Sequence, residues 1–332
     1  MGDEYRGVLV LAEQNEGELH AISYELLNVG RRIADDLGTG LSAVFLTPDP
    51  SGVEELICRG ADKVFVYQSP SFGRPDEIVY KDNLVTLVEE EKPEVFLIGG
   101  TNFGRSLAPR LQAALHTGLT ADCTGFEVNE EGKLVQIRPA CSSTLLAQIV
   151  SDRFPQMATV RYKEFEEAPR DPARNGEIIE RQASIPDLTG VRTLEKLTSR
   201  EVDITEAQVV VSGGRGLKDP QHFQLLEELA ELLDGVVGSS RPLVDEGWID
   251  RAHQVGYSGN RVKPTLYIAC GISGAPNHLA GMRQAEVVVA INTDPSAPIF
   301  KVADYGIIGD LYEVVPELIE RIRKDKDERS DN

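Results

Sequence analysis

The residues best equipped for chemistry lie in the last third of the chain, where guanidinium and hydroxyl groups stand among glycines. Arg215 sits inside Gly213-Gly214-Arg215-Gly216, Arg241 follows Gly238-Ser239-Ser240, and His278 lies four residues after Gly274. Glycine accepts positive φ and lets the main chain approach a ligand, and a guanidinium beside exposed amides suits a pyrophosphate. Pro242 fits the first turn of a helix whose N–H groups would face an anion. Taken singly, each feature has a plainer reading: a bare turn at 213–216, a simple N-cap at Ser240, a solvated or structural histidine at 278. Gln254-Val255-Gly256-Tyr257-Ser258-Gly259 alone is only a loop, and Asn292-Thr293-Asp294-Pro295 alone is an ordinary strand exit.

These groups are positioned by short apolar runs that end beside them. Gln208 to Ser212, Thr265 to Cys270 and Glu286 to Ile291 are rich in β-branched residues without clean alternation, and Val236-Val237 is a shorter run. Such runs predict parallel strands buried on both faces. Ligands of an open parallel sheet settle beyond the carboxyl ends of its strands, and those ends carry the glycines here. Phe223, Leu226, Leu229, Ala230 and Leu233 mark the core face of a helix, and the charged stretch past Ile322 reads as a frayed tail.

The first part of the chain alternates in the same way. A strand at Gly7 to Ala12 precedes a helix on which Leu19, Ile22, Leu26, Val29, Ile33 and Leu37 recur at three- and four-residue steps. Strands at Leu41 to Thr47, Lys63 to Tyr67 and Glu94 to Ile98 interleave with helices around Val53 to Cys58, Glu77 to Glu91 and Ser106 to Leu115. This βαβ alternation predicts a doubly wound, mostly parallel sheet. From Gly118 to about Tyr162 short alternating segments, Phe126 to Asn129 and Leu134 to Ile137 among them, predict an antiparallel appendage. Glu164 to about Arg200 is densely charged, with Pro169, Pro172 and Pro186, and a domain boundary fits near its end. The expected architecture is α/β with two domains, 1–198 and 199–332, each a doubly wound sheet.

A length of 332 residues agrees with two domains of roughly 100–200 residues each. The formal charge of −20 argues against nucleic acid or an anionic membrane as partner. Cys58, Cys123, Cys141 and Cys270 lack CxxC spacing, so neither a zinc ribbon nor an iron–sulfur insertion is expected. They read as reduced thiols of a cytoplasmic protein. No run reaches the ~18 apolar residues of a membrane span, and the first residues lack an apolar signal core. GxxxxGK[ST], fully spaced GxGxxG, GxSxG and HExxH are absent; Gly271-Ile272-Ser273-Gly274-Ala275 ends in alanine, unlike a nucleophile elbow.

Between Val209 and Pro316 the segments VVSGGRGLK, VGSSRPLVDEGW, QVGYSG, LYIACGISGAPNHLAGM and VVVAINTDPSAPIFKVADYG follow one another in an order and spacing that closely resemble the alpha subunit of the electron transfer flavoproteins. LIGGTNFGRSLAPRLQAAL and RFPQMATVR extend the resemblance, more loosely, over the first part, so that it covers most of the chain.

The resemblance implies a heterodimer with a homologous beta subunit, FAD in the C-terminal domain with its ring near that subunit, and an N-terminal domain acting as scaffold. It also implies electron traffic between a flavin dehydrogenase, such as acyl-CoA dehydrogenase, or the partner's flavin, and another redox protein. By position, Arg215, Ser240, Gln254, Val255, Gly256, Tyr257, Ser258, Ser273, Gly274, Ala275, Pro276, Asn277, His278, Asn292, Asp310 and Leu311 are the expected FAD contacts, with Arg241 against the flavin ring. The Ser258 hydroxyl is expected to reach flavin N5.

A flavin that accepts electrons gains negative charge around N1 and the C2 carbonyl, so a neighbouring cation favours its reduced forms. A unit charge at ~4 Å contributes about 4 kcal/mol at an effective dielectric near 20, before desolvation. Arg241 is the expected source, and His278 adds a hydrogen bond or a partial charge. Tyr257 and Ser258 depart from the Gln and Thr of many members, so a redox potential does not carry over; Tyr162 and Lys163 replace a common Pro-Gly. Two further readings are an electron-bifurcating NADH-oxidising complex with a second FAD in the beta subunit, and a non-flavin nucleotide-binding regulator.

Overall fold

The computed structural model describes residues 4–15, 17–140, 145–185 and 204–330. The chain divides into two compact units, Met1–Leu194 and Glu195–Asn332. The division expected after residue 198 lies outside the described residues, as does Cys141.

The first unit begins with β1 (Val8–Ala12), the short ladder of β2 (Gln14–Asn15) and β3 (Glu18–Leu19), then α1 (Ile22–Asp36), β4 (Leu41–Thr47), α2 (Glu54–Cys58) and β5 (Lys63–Gln68). It continues through α3 (Glu77–Glu91), β6 (Val95–Gly99), α4 (Asn102–Leu115), β7 (Leu119–Cys123), β8 (Gly125–Val128), β9 (Leu134–Ala140), β10 (Leu145–Val150), β11 (Gln156–Val160) and β12 (Glu177–Arg181). Seven strands form one parallel sheet in the order β12-β5-β4-β1-β6-β11-β7.

Successive side chains of each inner strand enter opposite cores, as a sheet covered on both faces requires. Val8, Val10 and Ala12 pack with Leu26, Val29 and Ile33 of α1, while Leu9 and Leu11 pack with Leu84 and Leu87 of α3 and Leu107 of α4. Asp76 caps α3 by accepting hydrogen bonds from the amides of Ile78 (2.9 Å) and Val79 (3.2 Å).

Four features of this unit differ from the sequence expectation, the first being Leu19, which was expected on the first helix and lies in β3. The antiparallel appendage is confined to β10-β9-β8; β7 and β11 belong to the parallel sheet, and fully buried β11 lies between β6 and β7. The helix expected from Ser106 begins at Asn102, because the Thr101 hydroxyl caps it by accepting from the Gly104 amide at 3.0 Å. The charged stretch after Glu164 contains β12, an edge strand that hydrogen-bonds to β5.

The second unit runs β13 (Val209–Gly213), α5 (Phe223–Leu232), β14 (Val236–Ser239), α6 (Arg241–Asp245), β15 (Leu266–Cys270), α7 (Pro276–Met282), β16 (Val287–Asn292), β17 (Tyr305–Ile308) and α8 (Leu311–Ser330). Its five strands are parallel in the order β14-β13-β15-β16-β17. One face carries Val211, Ile268 and Ile291 under Phe223, Leu226 and Leu229 of α5 and Leu311, Val315 and Ile319 of α8. The other carries Val210, Tyr267, Ala269 and Ala290, packed with Met282 of α7, Val255 and Ile299. The stretch past Ile322, read as a frayed tail, continues α8 to Ser330.

The strand order reverses between β13 and β15. That is the switch point at which two loops diverge and leave a crevice beyond the strand ends.

Candidate functional site

A cavity of about 250 Å³ opens at this switch point. Its walls come from Gly214 and Arg215 after β13, Ser240 to Pro242 after β14, Gln254 to Ser258, and Gly271 to Ala275 with Asn277 and His278 after β15. A wider hollow of about 800 Å³ in the first unit is lined by Asp49, Glu54 and Glu180, and its one arginine, Arg181, is paired with Glu90 and Glu91. That acidic lining has no cation to offer a phosphate.

The loops are fastened to one another by main-chain hydrogen bonds. The Gly214 amide donates to the Cys270 carbonyl (2.9 Å), the Ser240 amide to Gly213 (2.9 Å), the Val255 amide to Ser239 (2.9 Å) and the Tyr257 amide to Asn277 (2.7 Å). Glycine is required where these backbones meet. A Cβ on Gly214 would lie 2.4 Å from the Gly271 carbonyl oxygen, and one on Gly281 would lie 2.4 Å from the Gly256 nitrogen.

This corrects the expectation that the 213–216 turn aims its amides at phosphate. The amides of Gly214 and Gly216 are taken by the carbonyls of Cys270 and Gly271, so these glycines pack loop against loop. What the turn presents outward is Arg215, whose exposed guanidinium has no ion-pair partner among the described residues.

Arg241 opens α6 with Pro242 in its first turn, and its Nε donates to Asp245 Oδ2 at 3.1 Å. Ser240 is buried, and its side chain makes no capping hydrogen bond, so the hydroxyl remains available to the cavity. Gln254 is also buried, and its Nε2 donates to Ser258 Oγ at 3.2 Å. Tyr257 is exposed, with the Arg261 guanidinium 5.3 Å from its ring centroid.

His278 is buried, with Nε2 3.0 Å from the Tyr267 hydroxyl. Burial pushes it down to about 4, opposed in part by the Val255 backbone. It is therefore neutral near pH 7 and contributes hydrogen bonding, not the partial charge allowed for from the sequence. The cations at the cavity are Arg215 and Arg241.

Arg215, Ser240, Arg241, Gln254, Val255, Gly256, Tyr257, Ser258, Ser273, Gly274, Ala275, Asn277 and His278 thus converge on one cavity. Pro276, Asn292, Asp310 and Leu311 do not line it. Asn292 Nδ2 donates to the Ile272 carbonyl at 2.9 Å, tying the exit of β16 to the turn after β15. Asp310 accepts from the Tyr312 amide at 3.1 Å at the start of α8, and Leu311 is buried in the core beneath Gly271.

Gly214, Pro242, Gly271 and Ile272 also line the cavity, although they were not among the expected FAD contacts. Three belong to the turns that first drew notice; Ile272 is an apolar wall with no chemical signature. Among the described residues no cluster of side chains could hold a metal ion, and no helix is long and apolar enough to cross a membrane. Cys123 and Cys270 are buried free thiols that burial pushes up to about 12.

Comparison with known proteins places this geometry in a lineage. Residues 8–186 match the family described as the electron transfer flavoprotein domain, and residues 203–283 the electron transfer flavoprotein FAD-binding domain. The electron transfer flavoprotein subunit alpha of Thermoanaerobacterium thermosaccharolyticum is 45% identical over 327 residues, covering 97% of this chain and 99% of that one. The protein of the same description from Megasphaera elsdenii is 45% identical over 331 residues, covering 97% and 98%. Subunit LctC of the lactate dehydrogenase (NAD(+),ferredoxin) of Acetobacterium woodii is 40% identical over 324 residues, covering 96% of this chain and 77% of that one. The residues lining the switch-point cavity all fall within the matched FAD-binding region, and the chain belongs to the alpha subunits of the electron transfer flavoprotein family.

Proposed function

We propose that the cavity between the ends of β13, β14 and β15 seats the FAD of this electron carrier, with Arg215 at the diphosphate and Arg241 beside the flavin ring. When bound, FAD supplies the chemistry of accepting and releasing electrons. This chain's residues bind it, orient it and bias its charge. The observation that carries the reading is the convergence, on one cavity at the sheet's switch point, of two arginines with three buried polar side chains, Ser240, Gln254 and His278.

The lining fits such a group. Ser240 and His278 bring hydrogen-bonding capacity that the protein leaves unused, while Val255, Ile272 and Ala275 provide apolar surface for a ring. A volume of about 250 Å³ suits only part of a dinucleotide. The adenosine end is assigned to the surface beyond the cavity, toward Asn292, Asp310 and Leu311, with Pro276 contributing at the start of α7.

In this reading electrons arrive from a flavin dehydrogenase such as acyl-CoA dehydrogenase and leave to another redox protein, and the chain works as a heterodimer with its beta subunit. The apolar surface of β10, with Leu145 58% and Leu146 57% exposed, supports contact with a partner. A cytoplasmic location is part of the proposal, supported by free buried thiols; the domain division at 198/199 is a further part of it, supported by the separation into two compact units close to that position. Co-expression with the beta subunit and a visible spectrum of the purified complex tests the FAD seat; a colourless, flavin-free complex defeats it.

A second reading, electron bifurcation with another FAD in the beta subunit, is favoured by the likeness to LctC and to the acryloyl-CoA reductase electron transfer subunit beta of Anaerotignum propionicum, 40% identical over 357 residues. Two FAD per heterodimer with NADH reactivity supports it. One FAD with AMP supports the plain carrier.

A further inference from the structure

We propose that Tyr267 is a positioning residue of the cofactor site: its hydroxyl holds His278 in the tautomer with the proton on Nδ1, so that this N–H is kept for an acceptor atom of the flavin. The proposal rests on the FAD seat described above and adds a residue that does not touch the cavity.

The arrangement follows from the strand. Alternation along β15 sends Ile268 and Cys270 under α5 and α8, and Tyr267 and Ala269 to the opposite face, packed with Met282 of α7. Tyr267 is fully buried there, and its oxygen meets Nε2 of His278, the third residue of α7, at 3.0 Å. A phenol is a better donor than an imidazole N–H, and an imidazole nitrogen is a better acceptor than a phenol oxygen. The hydrogen bond therefore runs from Tyr267 O–H to His278 Nε2.

Protonation states agree with that direction. Burial raises Tyr267 above the ordinary tyrosine range, which keeps the proton on its oxygen, and burial lowers His278, which keeps the ring neutral. A neutral imidazole has one donor and one acceptor nitrogen. With Nε2 accepting, Nδ1 carries the hydrogen.

Nδ1 is buried and has no hydrogen-bond partner in the protein. The Val255 backbone is the one protein group that favours a proton on this ring, and it makes no hydrogen bond of ordinary geometry to Nδ1. A buried, unsatisfied donor in the wall of a cavity is costly until a ligand supplies the acceptor. Without the Tyr267 hydroxyl the ring would be free to place its hydrogen on Nε2 and present a bare lone pair to the cavity.

The test uses the full chain, with its histidines alone ¹⁵N-labelled, in complex with the beta subunit. Two-bond ¹⁵N–¹H correlations, recorded near pH 7 before and after FAD is added to flavin-stripped complex, report each ring tautomer. Loss of one signal in His278→Asn identifies the residue.

The expected result is Nδ1–H in the unmodified complex. In Tyr267→Phe the tautomer shifts wholly or partly to Nε2–H, and FAD is retained about fivefold to tenfold less tightly. His278→Asn keeps a donor near the position of Nδ1 without needing the phenol, so Tyr267→Phe added to it causes no further loss of FAD. An Nε2–H tautomer in the unmodified complex, an unchanged tautomer in Tyr267→Phe, or an equal loss of FAD in both backgrounds overturns the proposal. The first of these remains decisive even if Tyr267→Phe fails to fold. Failure of the unmodified complex to take up any FAD defeats the FAD reading separately, because the tautomer is read in flavin-free protein.

Discussion

Arg241 leans on Asp245 one turn along α6, with Nε 3.1 Å from Oδ2, so the cation assigned to the flavin ring is already shared with a carboxylate of its own helix. Both side chains are more than half exposed, which keeps the pair weak. Asp245→Asn leaves the guanidinium undivided, and the reduction potential of bound FAD is expected to rise by about 10–20 mV. Arg241→Ala is expected to lower it by more and to weaken FAD retention. Spectroelectrochemical titration of the two variant complexes checks both signs.

Gly281→Ala is expected to empty the site without unfolding the first unit. The added methyl group would lie 2.4 Å from the Gly256 nitrogen and 2.5 Å from its Cα, forcing the 254–258 loop away from α7. FAD affinity should fall at least about tenfold, the equivalent of 1.4 kcal/mol, by flavin fluorescence titration. An unchanged affinity would show that the loop moves freely relative to the helix.

Glu13 supplies a pH dependence confined to the first unit. Burial raises its carboxyl to about 7, against a weaker lowering by the Thr101 hydroxyl that donates to it at 2.8 Å. Between about 4.5 and 7 the folded chain holds this proton and the unfolded chain does not, so stability falls as pH rises through that window. The loss is on the order of 3 kcal/mol across the window. Glu13→Gln should flatten the curve, most visibly above pH 7, in urea titrations at stepped pH.

Leu145 and Leu146 are adjacent in β10 and therefore project from opposite faces of that strand, both exposed. Replacing both with Ser should change the stability of the chain by no more than about 0.5 kcal/mol per site, because neither is part of a core. Binding to the beta subunit should weaken by at least about tenfold in calorimetric titration. A large loss of stability with unchanged binding would place these leucines inside the fold instead.

What was legible in the sequence depended on whether the signal was local. Leu26, Val29 and Ile33 repeat with the period of one helix face, and α1 is found there. β11 was hidden because Gln156 to Val160 reads as one more short segment after a hairpin; what defines it is pairing with β6, some sixty residues earlier. β12, Glu-Ile-Ile-Glu-Arg, is an edge strand, and its charged residues masked the apolar pair. At the site, glycine turns and arginines marked the strand ends that border the cavity, while family likeness supplied further positions, most of which line it. Neither revealed that the glycine amides are spent on neighbouring loops, a property of tertiary packing that no local pattern encodes.

The fastening of Val255 to Ser239 and of Tyr257 to Asn277 has a practical consequence. Walls braced by one another do not need an occupant to stand. Little ordering remains to oppose the entry of the prosthetic group. Apoprotein stripped by mild acid or salt should therefore recolour on simple mixing, without passing through a denatured intermediate.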